Sequence, residues 1–338
     1  MKIATLGIDL AKRVFQIHGL DERGKIVLRK RLSRNKLLEF LSTLPPSLIG
    51  MESCGGAHYW ARKIRDLGHD VKLISPQFVK PFVKSNKNDY NDAEAICEAI
   101  VRPSMRFVSI KSIEHQDIQA LHRVRERLIK ERTALVNQIR GLLSEYGIIL
   151  PIGIQNVRKS MPLILDNTEN ELTPISREFF AELYTELRFI EERITKCHRH
   201  IERVFLSNPV CHKLSEVEGV GTLTATALIA AVGDPRIFGN GRQMAAWLGL
   251  VPRQSSTGGK TVLLGITKRG NRYLRTLLIH GARAVLRYAP NKSDARSRWI
   301  TSVKNRRGSN IAAVSLANKN ARILWALMSR DETYRKAV

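Results

Sequence analysis

The chain has 338 residues, 43% of them hydrophobic, and carries 56 Lys and Arg against 31 Asp and Glu. This length and composition allow two packed domains and exclude a disordered tail. The net charge of +25 predicts a polyanionic partner, with nucleic acid as the first candidate. No apolar run is long enough to span a membrane, and the first residues enter a strand pattern directly. We therefore expect a soluble, cytoplasmic protein.

The first part of the chain alternates strand and helix patterns. The predicted strands span residues 3–10, 14–20, 25–32, 48–53 and 71–75, and the predicted helices span 34–43, 57–67 and 89–101. The first three strands are separated by turn-like sequence and predict an antiparallel meander. Such a meander followed by a β-α-β-α run is typical of an RNase H/RuvC-like α/β sheet. We expect residues 1–110 to form this domain.

The middle of the chain has a helical pattern. Apolar residues recur every three or four positions between 113 and 146, and again between 180 and 204. The segment 147–175, which contains Pro and Asn, separates these two predicted helices. We expect residues 111–206 to form an antiparallel helical hairpin or an oligomerising coiled coil, with a structural role in a homo-oligomer.

The last part, residues 207–338, is predicted to be a helix-rich basic domain. Between Arg242 and Asn310 there are fifteen Lys and Arg and one acid, Asp294, an imbalance that predicts phosphate contacts. The G-V-G sequence at 219–221 is compatible with a phosphate-binding turn and equally with close helix packing. The candidate nucleic-acid-binding residues are Arg253, Lys260, Lys268, Arg269, Arg272 and Arg275.

Four acids stand at the ends of the predicted N-terminal elements. Asp9 lies in the first strand, and Glu52 ends the fourth strand, which would lie beside the first. Asp89 and Asp92 begin the helix after the fifth strand, one turn apart. Each acid alone is compatible with a cap, a turn or a surface position. Together they would repel one another unless a divalent cation lay among them, and Mg²⁺ prefers such hard oxygen ligands. The sequence therefore predicts a Mg²⁺ site at this edge of the sheet.

Three motifs in the same region resemble a known family. G-I-D at 7–9, M-E-S-C-G-G-A-H-Y-W at 51–60 and K-N-D-Y-N-D-A at 87–93 resemble insertion-sequence transposases with a RuvC-like domain, recombinases described as guided by a bridge RNA. The resemblance implies that Asp9, Glu52, Asp89 and Asp92 are the catalytic Asp-Glu-Asp-Asp tetrad. It also implies DNA as substrate and a guide RNA as partner.

The resemblance continues into the C-terminal part through L-G-L-V-P at 248–252, S-T-G-G-K at 256–260 and K-R-G-N-R-Y-L-R at 268–275. It implies a second transposase domain with a catalytic serine in the loop before the glycines. Three hydroxyls compete for that role: Ser255, Ser256 and Thr257. Ser256 is favoured because a primary hydroxyl is less hindered and Ser-Thr-Gly-Gly is a familiar form of the loop, while the other two stay open.

The sequence thus predicts a DNA recombinase that excises and inserts its own mobile element. The tetrad would hold Mg²⁺, the serine would attack the DNA backbone, and the active complex would be a dimer or tetramer in which the serine of one subunit completes the acidic site of another. Two alternatives stay open. A RuvC-like nuclease or Holliday-junction resolvase would need the tetrad without the serine, and a purely architectural nucleic-acid binder would need neither.

Overall fold

A computed structural model of the chain describes residues 3–84, 89–330 and 332–335. The chain divides into two compact units. The first comprises Met1–His115, Val232–Ala245 and Met328–Asp331, and the second comprises Gln116–Ala231, Ala246–Leu327 and Glu332–Val338. The domain boundaries predicted at 110 and 206 stay predictions. Within the described residues, no helix is long and apolar enough to cross a membrane.

The first unit contains a six-stranded mixed sheet. Its strands are β1 (Thr5–Leu10), β2 (Val14–Leu20), β3 (Ile26–Ser33), β4 (Leu48–Glu52), β5 (Asp70–Ile74) and β6 (Phe107–Val108), and its helices are α1 (Leu37–Ser42), α2 (Ala57–Asp66), α3 (Pro76–Val79) and α4 (Asp89–Ile100). The strand order is β3-β2-β1-β4-β5-β6. β1 pairs with β2 antiparallel and with β4 parallel. The prediction of an RNase H-like sheet is confirmed, and the short β6 and α3 are additions to it.

Helices pack on both faces of this sheet and bury its central strands β1, β2 and β4 on both sides, whereas the edge strand β3 is largely exposed. On one face, the alternate residues Leu6 and Ile8 of β1 and Met51 of β4 form a core with α1 and α2. On the other face, α4 packs so closely that a Cβ atom at Gly7 would lie 2.2 Å from the carbonyl oxygen of Ala93. Only glycine allows this approach, so α4 is fixed directly over β1.

The middle of the chain forms the predicted long helices, α5 (Ile113–Ser144) and α7 (Pro174–Ser207). They run antiparallel, because Arg125 near the start of α5 bonds His198 near the end of α7, and the ring of Tyr146, just after α5, meets Phe180 of α7. The hairpin is therefore built within one chain. The interval between the helices is more than a linker, because it contains α6 (Ile154–Asp166).

The C-terminal part is mostly helical. It contains α8 (Pro209–Ser215), α9 (Thr222–Val232), α10 (Gly241–Trp247), α11 (Arg272–Tyr288), α12 (Ala295–Arg307) and α13 (Ser309–Ser329), and a two-stranded hairpin of β7 (Pro252–Thr257) and β8 (Lys260–Ile266). The helix-rich prediction is confirmed. The hairpin corrects one detail: Ser255, Ser256 and Thr257 lie in a strand that leads into the turn, and the turn itself is Gly258 and Gly259.

Candidate active site

Two of the predicted acids stand side by side at the end of the parallel strand pair. In the register of β1 and β4, Ile8 lies opposite Met51, and the next residues are Asp9 and Glu52. Side chains alternate along a strand, so both acids belong to the face that carries Gly7 and α4. Both are partly buried. The sequence prediction that Glu52 lies beside the first strand is thus confirmed by the strand order.

Helix α4 lies over the same face of the sheet, and its first turn contains the other two predicted acids. Asp92 directly precedes Ala93, whose carbonyl oxygen lies against Gly7, and Gly7 is two residues before Asp9. Asp92 is itself partly buried. Asp89 is the first residue of α4, but its side chain lies outside the described part of the structure. The backbone therefore places the start of α4 over the strand that carries Asp9.

The donor chemistry of this edge fits a divalent cation, because carboxylate oxygens at the ends of neighbouring strands are hard ligands. Without Asp89, the described side chains contain no group of three or more His, Cys, Asp or Glu that could hold a metal ion. The complete four-acid site therefore stays a prediction. The pKa of the nearby Cys54 thiol is raised. The main cause is partial desolvation, and the negative charges of Glu52 and Asp9 raise it further.

The β7–β8 hairpin separates the three candidate hydroxyls by face. Directly opposite residues share a face of an antiparallel pair, and Ser255 lies opposite Val262 whereas Ser256 lies opposite Thr261. Ser256 therefore points to one face, and its neighbours Ser255 and Thr257 point to the other. All three are exposed. The positive φ angles of Gly258 (55°) and Gly259 (77°) close the turn as a two-residue hairpin loop.

Ser256 also has a side-chain partner that sequence reasoning missed. The amide Nε2 of Gln254 donates a hydrogen bond of 2.7 Å to Ser256 Oγ. The two residues are two positions apart on one strand and so share a face. The spacing of Gln254 and Ser256 is visible in the sequence, but it predicts that they share a face only if this segment is a strand and not a loop.

Comparison with known proteins decides the family. A DEDD transposase domain of IS110 elements matches residues 6–148, and a family described as transposase IS116/IS110/IS902 matches residues 211–298. The chain is 52% identical over 338 residues to a probable family 20 transposase of Pseudomonas aeruginosa, with 99% of each chain covered. It is 50% identical over 333 residues to the transposase for insertion sequence element IS1111A of Coxiella burnetii, covering 98% of this chain and 92% of that one. The chain belongs to this transposase family.

The transposase is therefore a DNA-transferring enzyme, and the architectural binder considered above is excluded. Its DEDD-type domain implies a divalent metal, and transposition implies DNA binding. The resemblance noted in the sequence is confirmed at the level of this family.

The predicted phosphate contacts of the transposase divide into two groups. Five of the six basic side chains are exposed, and they are Arg253, Lys260, Lys268, Arg269 and Arg272. They stay candidates for phosphate contact. Arg275 is only 8% exposed, and its Nη1 donates hydrogen bonds of 2.9 and 2.8 Å to the carbonyl oxygens of Leu248 and Arg269. Burial also lowers the pKa of this guanidinium. Arg275 therefore links the backbone at Leu248 to that at Arg269, and its role as a phosphate contact stays a prediction.

The G-V-G turn of the transposase includes a packing glycine. Gly219, at φ 86°, lies so close to α11 that a Cβ atom at Gly281 would be 1.8 Å from the carbonyl oxygen of Gly219. A Cβ atom at Gly221 would meet nothing within 4 Å. Close packing therefore explains Gly219 but not Gly221.

Proposed function

We propose that the transposase excises and inserts its own mobile element, with the four acids holding Mg²⁺ and Ser256 attacking a DNA phosphodiester. The observation that carries the proposal is the pair of partly buried acids, Asp9 and Glu52, at neighbouring strand ends beneath α4. Two carboxylates side by side repel each other, and a shared cation offsets this repulsion. Family membership supports the same reading.

Asp9, Glu52, Asp89 and Asp92 would be the metal ligands. Bound divalent ions would stabilise the charge that develops on the phosphate and leaving oxygens during phosphoryl transfer. Asp9 and Glu52 contribute from the rigid sheet, where strand pairing fixes their separation. Asp89 and Asp92 contribute from α4, which is held over β1 by its contact with Gly7. The close packing of α4 on the sheet would thus hold the four ligands in position before a metal ion binds.

Ser256 would act as the nucleophile. A bond forms between its Oγ and the DNA phosphorus while one phosphorus–oxygen bond of the backbone breaks; the hydroxyl proton leaves to solvent, and the departing deoxyribose oxygen takes up a proton. The hydrogen bond from Gln254 would hold Oγ in one orientation and stabilise negative charge on it. This bond supports Ser256 over Ser255 and Thr257.

The experiment is a covalent trap. Purified protein is incubated with DNA carrying the element's ends and Mg²⁺, and protein–DNA adducts are separated under denaturing conditions. We expect Ser256→Ala to abolish the adduct, and Ser255→Ala and Thr257→Ala to retain it. An adduct that persists in Ser256→Ala would assign the nucleophile elsewhere. Asp9→Ala is expected to abolish strand exchange.

A metal-dependent nuclease or Holliday-junction resolvase is the second candidate, because it would need the four acids, of which the paired Asp9 and Glu52 are two, but not the serine. DNA cleavage by Ser256→Ala at the wild-type rate, without any adduct in the wild type, would favour that function.

A guide RNA is part of the proposal. A net charge of +25 exceeds what solubility requires and supports a polyanionic partner. Target choice would then come from base pairing. Sequencing the nucleic acid that co-purifies with the transposase tests this: a discrete RNA with loops complementary to the target supports guidance, and DNA alone contradicts it.

The active complex is proposed to be a dimer or tetramer, with the α5–α7 hairpin as the assembling element. Sedimentation of the full chain with DNA would measure its mass, and a single copy bound during strand exchange would contradict this part.

A further inference from the structure

A further polar side chain lies beside Asp9, on the neighbouring strand β2. In the antiparallel register of β1 and β2, Gln16 is directly opposite Asp9. Directly opposite residues share a face of the sheet, with Cβ atoms about 4.5–5.5 Å apart. Because β1 lies between β2 and β4 in the sheet, Gln16 and Glu52 flank Asp9 on its two sides. Three adjacent strands thus present oxygen-bearing side chains in one row.

The alternation of β2 shows that this row faces α4. Phe15 and Ile17 belong to the core that the sheet forms with α1 and α2. Gln16 and His18 therefore lie on the opposite face, the one that α4 covers. The thiol of Cys97 on α4 donates a hydrogen bond of 3.1 Å to the His18 carbonyl oxygen, which shows that α4 packs against β2 as well as β1.

The amide oxygen of Gln16 lacks a hydrogen-bond partner. The side chain is only 6% exposed, and its Oε1 is buried and accepts no hydrogen bond within the described residues. The ionised carboxylate of Asp9, directly opposite, has only acceptor oxygens and cannot supply a donor. A buried acceptor without a partner costs free energy, so it points to a group that the protein binds in its functional state.

A divalent cation is a partner that such a buried oxygen can reach. Ligand oxygens lie about 2.0–2.1 Å from Mg²⁺, so the oxygens around one ion are in contact with one another. A ligand oxygen therefore needs no surface that a water molecule can touch, in agreement with the burial of Oε1. An amide oxygen is a hard ligand like a carboxylate, and because it is neutral it adds no repulsion to Asp9 and Glu52.

We infer that Gln16 supplies a neutral oxygen ligand to the cation at the acid edge of the sheet. The inference rests on the proposed function, because it takes Asp9 and Glu52 as metal ligands. The sheet would then contribute three ligand side chains, one from each of β2, β1 and β4. Strand pairing fixes the spacing of these ligands, so Gln16 holds the ion on the β2 side of Asp9.

His18 provides a matched control on the same strand. It is buried too, and its Nε2 likewise has no hydrogen-bond partner among the described residues. His18 lies opposite Gly7, however, where the backbone of Ala93 and Cys97 on α4 closely approaches β1. This packing leaves no room for an ion above Gly7, so the loss of His18 should not change metal affinity.

The decisive variant is Gln16→Met, which has a similar volume and lacks the amide oxygen. The measurement is isothermal titration calorimetry of the full chain with Mn²⁺. The Kd for Mn²⁺ should rise about tenfold. The thermal midpoint of unfolding in EDTA should not fall, because Oε1 has no partner within the protein. An unchanged Kd in Gln16→Met, or an equal rise in His18→Leu, would overturn the assignment.

A second variant, Gln16→Glu, changes metal affinity in the opposite direction. It places a third carboxylate beside Asp9, so the thermal midpoint in EDTA should fall through repulsion between like charges. An anionic ligand binds a divalent cation more strongly than a neutral one, so the Kd for Mn²⁺ should fall below the wild-type value. A Kd that stays the same or rises in Gln16→Glu would contradict a ligand at this position.

Asp9→Asn reports separately on the metal site of the proposed function. If Asp9→Asn abolishes Mn²⁺ binding while Gln16→Met leaves the Kd unchanged, the acid site is supported and the ligand role of Gln16 is refuted. If both variants weaken binding and His18→Leu does not, Gln16 belongs to the site. A wild type that binds no Mn²⁺ would refute the metal site and the role of Gln16 with it.

Discussion

The side-chain amide of Gln254 donates a 2.7 Å hydrogen bond to the hydroxyl oxygen of Ser256 on the exposed β7–β8 hairpin. If Ser256 is the nucleophile, Gln254 is its positioning residue. Gln254→Ala should slow adduct formation by up to about tenfold, the worth of one net hydrogen bond, with DNA affinity unchanged. The measurement is the single-turnover rate of adduct formation beside an equilibrium binding titration. Ser255→Ala, on the opposite face, is the control and should keep the wild-type rate.

The acid pair at the ends of β1 and β4 predicts a metal-dependent gain in stability. A ligand that binds only the folded state at about 100 times its Kd adds about 2.7 kcal/mol, so Mg²⁺ or Mn²⁺ should raise the thermal midpoint. Asp9→Asn or Glu52→Gln should remove this increase. Asp166→Asn, at an exposed carboxylate on α6, should retain it. An equal increase in all variants, measured by calorimetry with and without EDTA, would place the metal elsewhere.

Much of the first unit could be predicted because burial imposes visible patterns. The strands near residues 6, 17, 49 and 73 alternate apolar residues, and helical patterns separate the later ones, so the strand order followed from the sequence. The same logic brought Glu52 beside the first strand. Register is well specified wherever a sheet face is buried.

The hairpin and the role of Arg275 could not be predicted in the same way. β7 reads P-R-Q-S-S-T and is exposed along its length, so no apolar alternation marks it as a strand. Arg275 lies in a basic run, and nothing in the sequence distinguishes it from the exposed Lys and Arg residues of that run. Its burial depends on the tertiary fold, which brings the Leu248 carbonyl oxygen within hydrogen-bond distance. α6 was missed because Pro162, inside that helix, and the flanking Asn residues signal a loop.

Arg275 and Arg272 lie one turn apart on α11 and should respond differently to the same substitution. Arg275→Gln removes a charged donor from two carbonyl oxygens and should lower the free energy of unfolding by about 2 kcal/mol. Arg272→Gln, at an exposed position, should leave stability unchanged and reduce the salt slope of DNA binding by about one. Denaturant titration and anisotropy separate the effects. If Arg272→Gln destabilises as much as Arg275→Gln, this division of roles is wrong.

The contact between Gly219 and Gly281 predicts a steric effect in the G-V-G region. Gly281→Ala would drive its Cβ against the Gly219 carbonyl, and overpacking of this kind costs about 3 kcal/mol. Gly221→Ala has open space around it and should cost less than about 1 kcal/mol. The measurement is the midpoint of thermal unfolding. Weakened DNA binding by Gly221→Ala without loss of stability would favour the phosphate-binding interpretation of this turn.

A buried histidine in the second unit predicts how stability depends on pH. His122 Nδ1 lies 3.0 Å from the Tyr273 hydroxyl, and Nε2 lies 3.0 Å from Thr226 Oγ1. Thr226 donates its only hydroxyl proton to the carbonyl of Thr222, so it accepts from Nε2. Nδ1 then accepts from Tyr273, and the neutral imidazole has both nitrogens satisfied. Burial, helped by the positive charge of Arg125, lowers the pKa of His122 to about 4.

The pH range in which stability changes follows from the lowered pKa of His122. The unfolded chain takes up the proton near pH 6.5, whereas the folded protein does so only near pH 4, so stability is lost as pH falls between these values. Between about pH 7.5 and pH 5 the loss attributable to His122 is about 2 kcal/mol. His122→Gln should remove this part of the pH dependence in denaturant titrations, and His200→Gln, at an exposed position of α7, should keep it. Identical pH dependence in wild type and His122→Gln would show that this histidine is not buried in its neutral form.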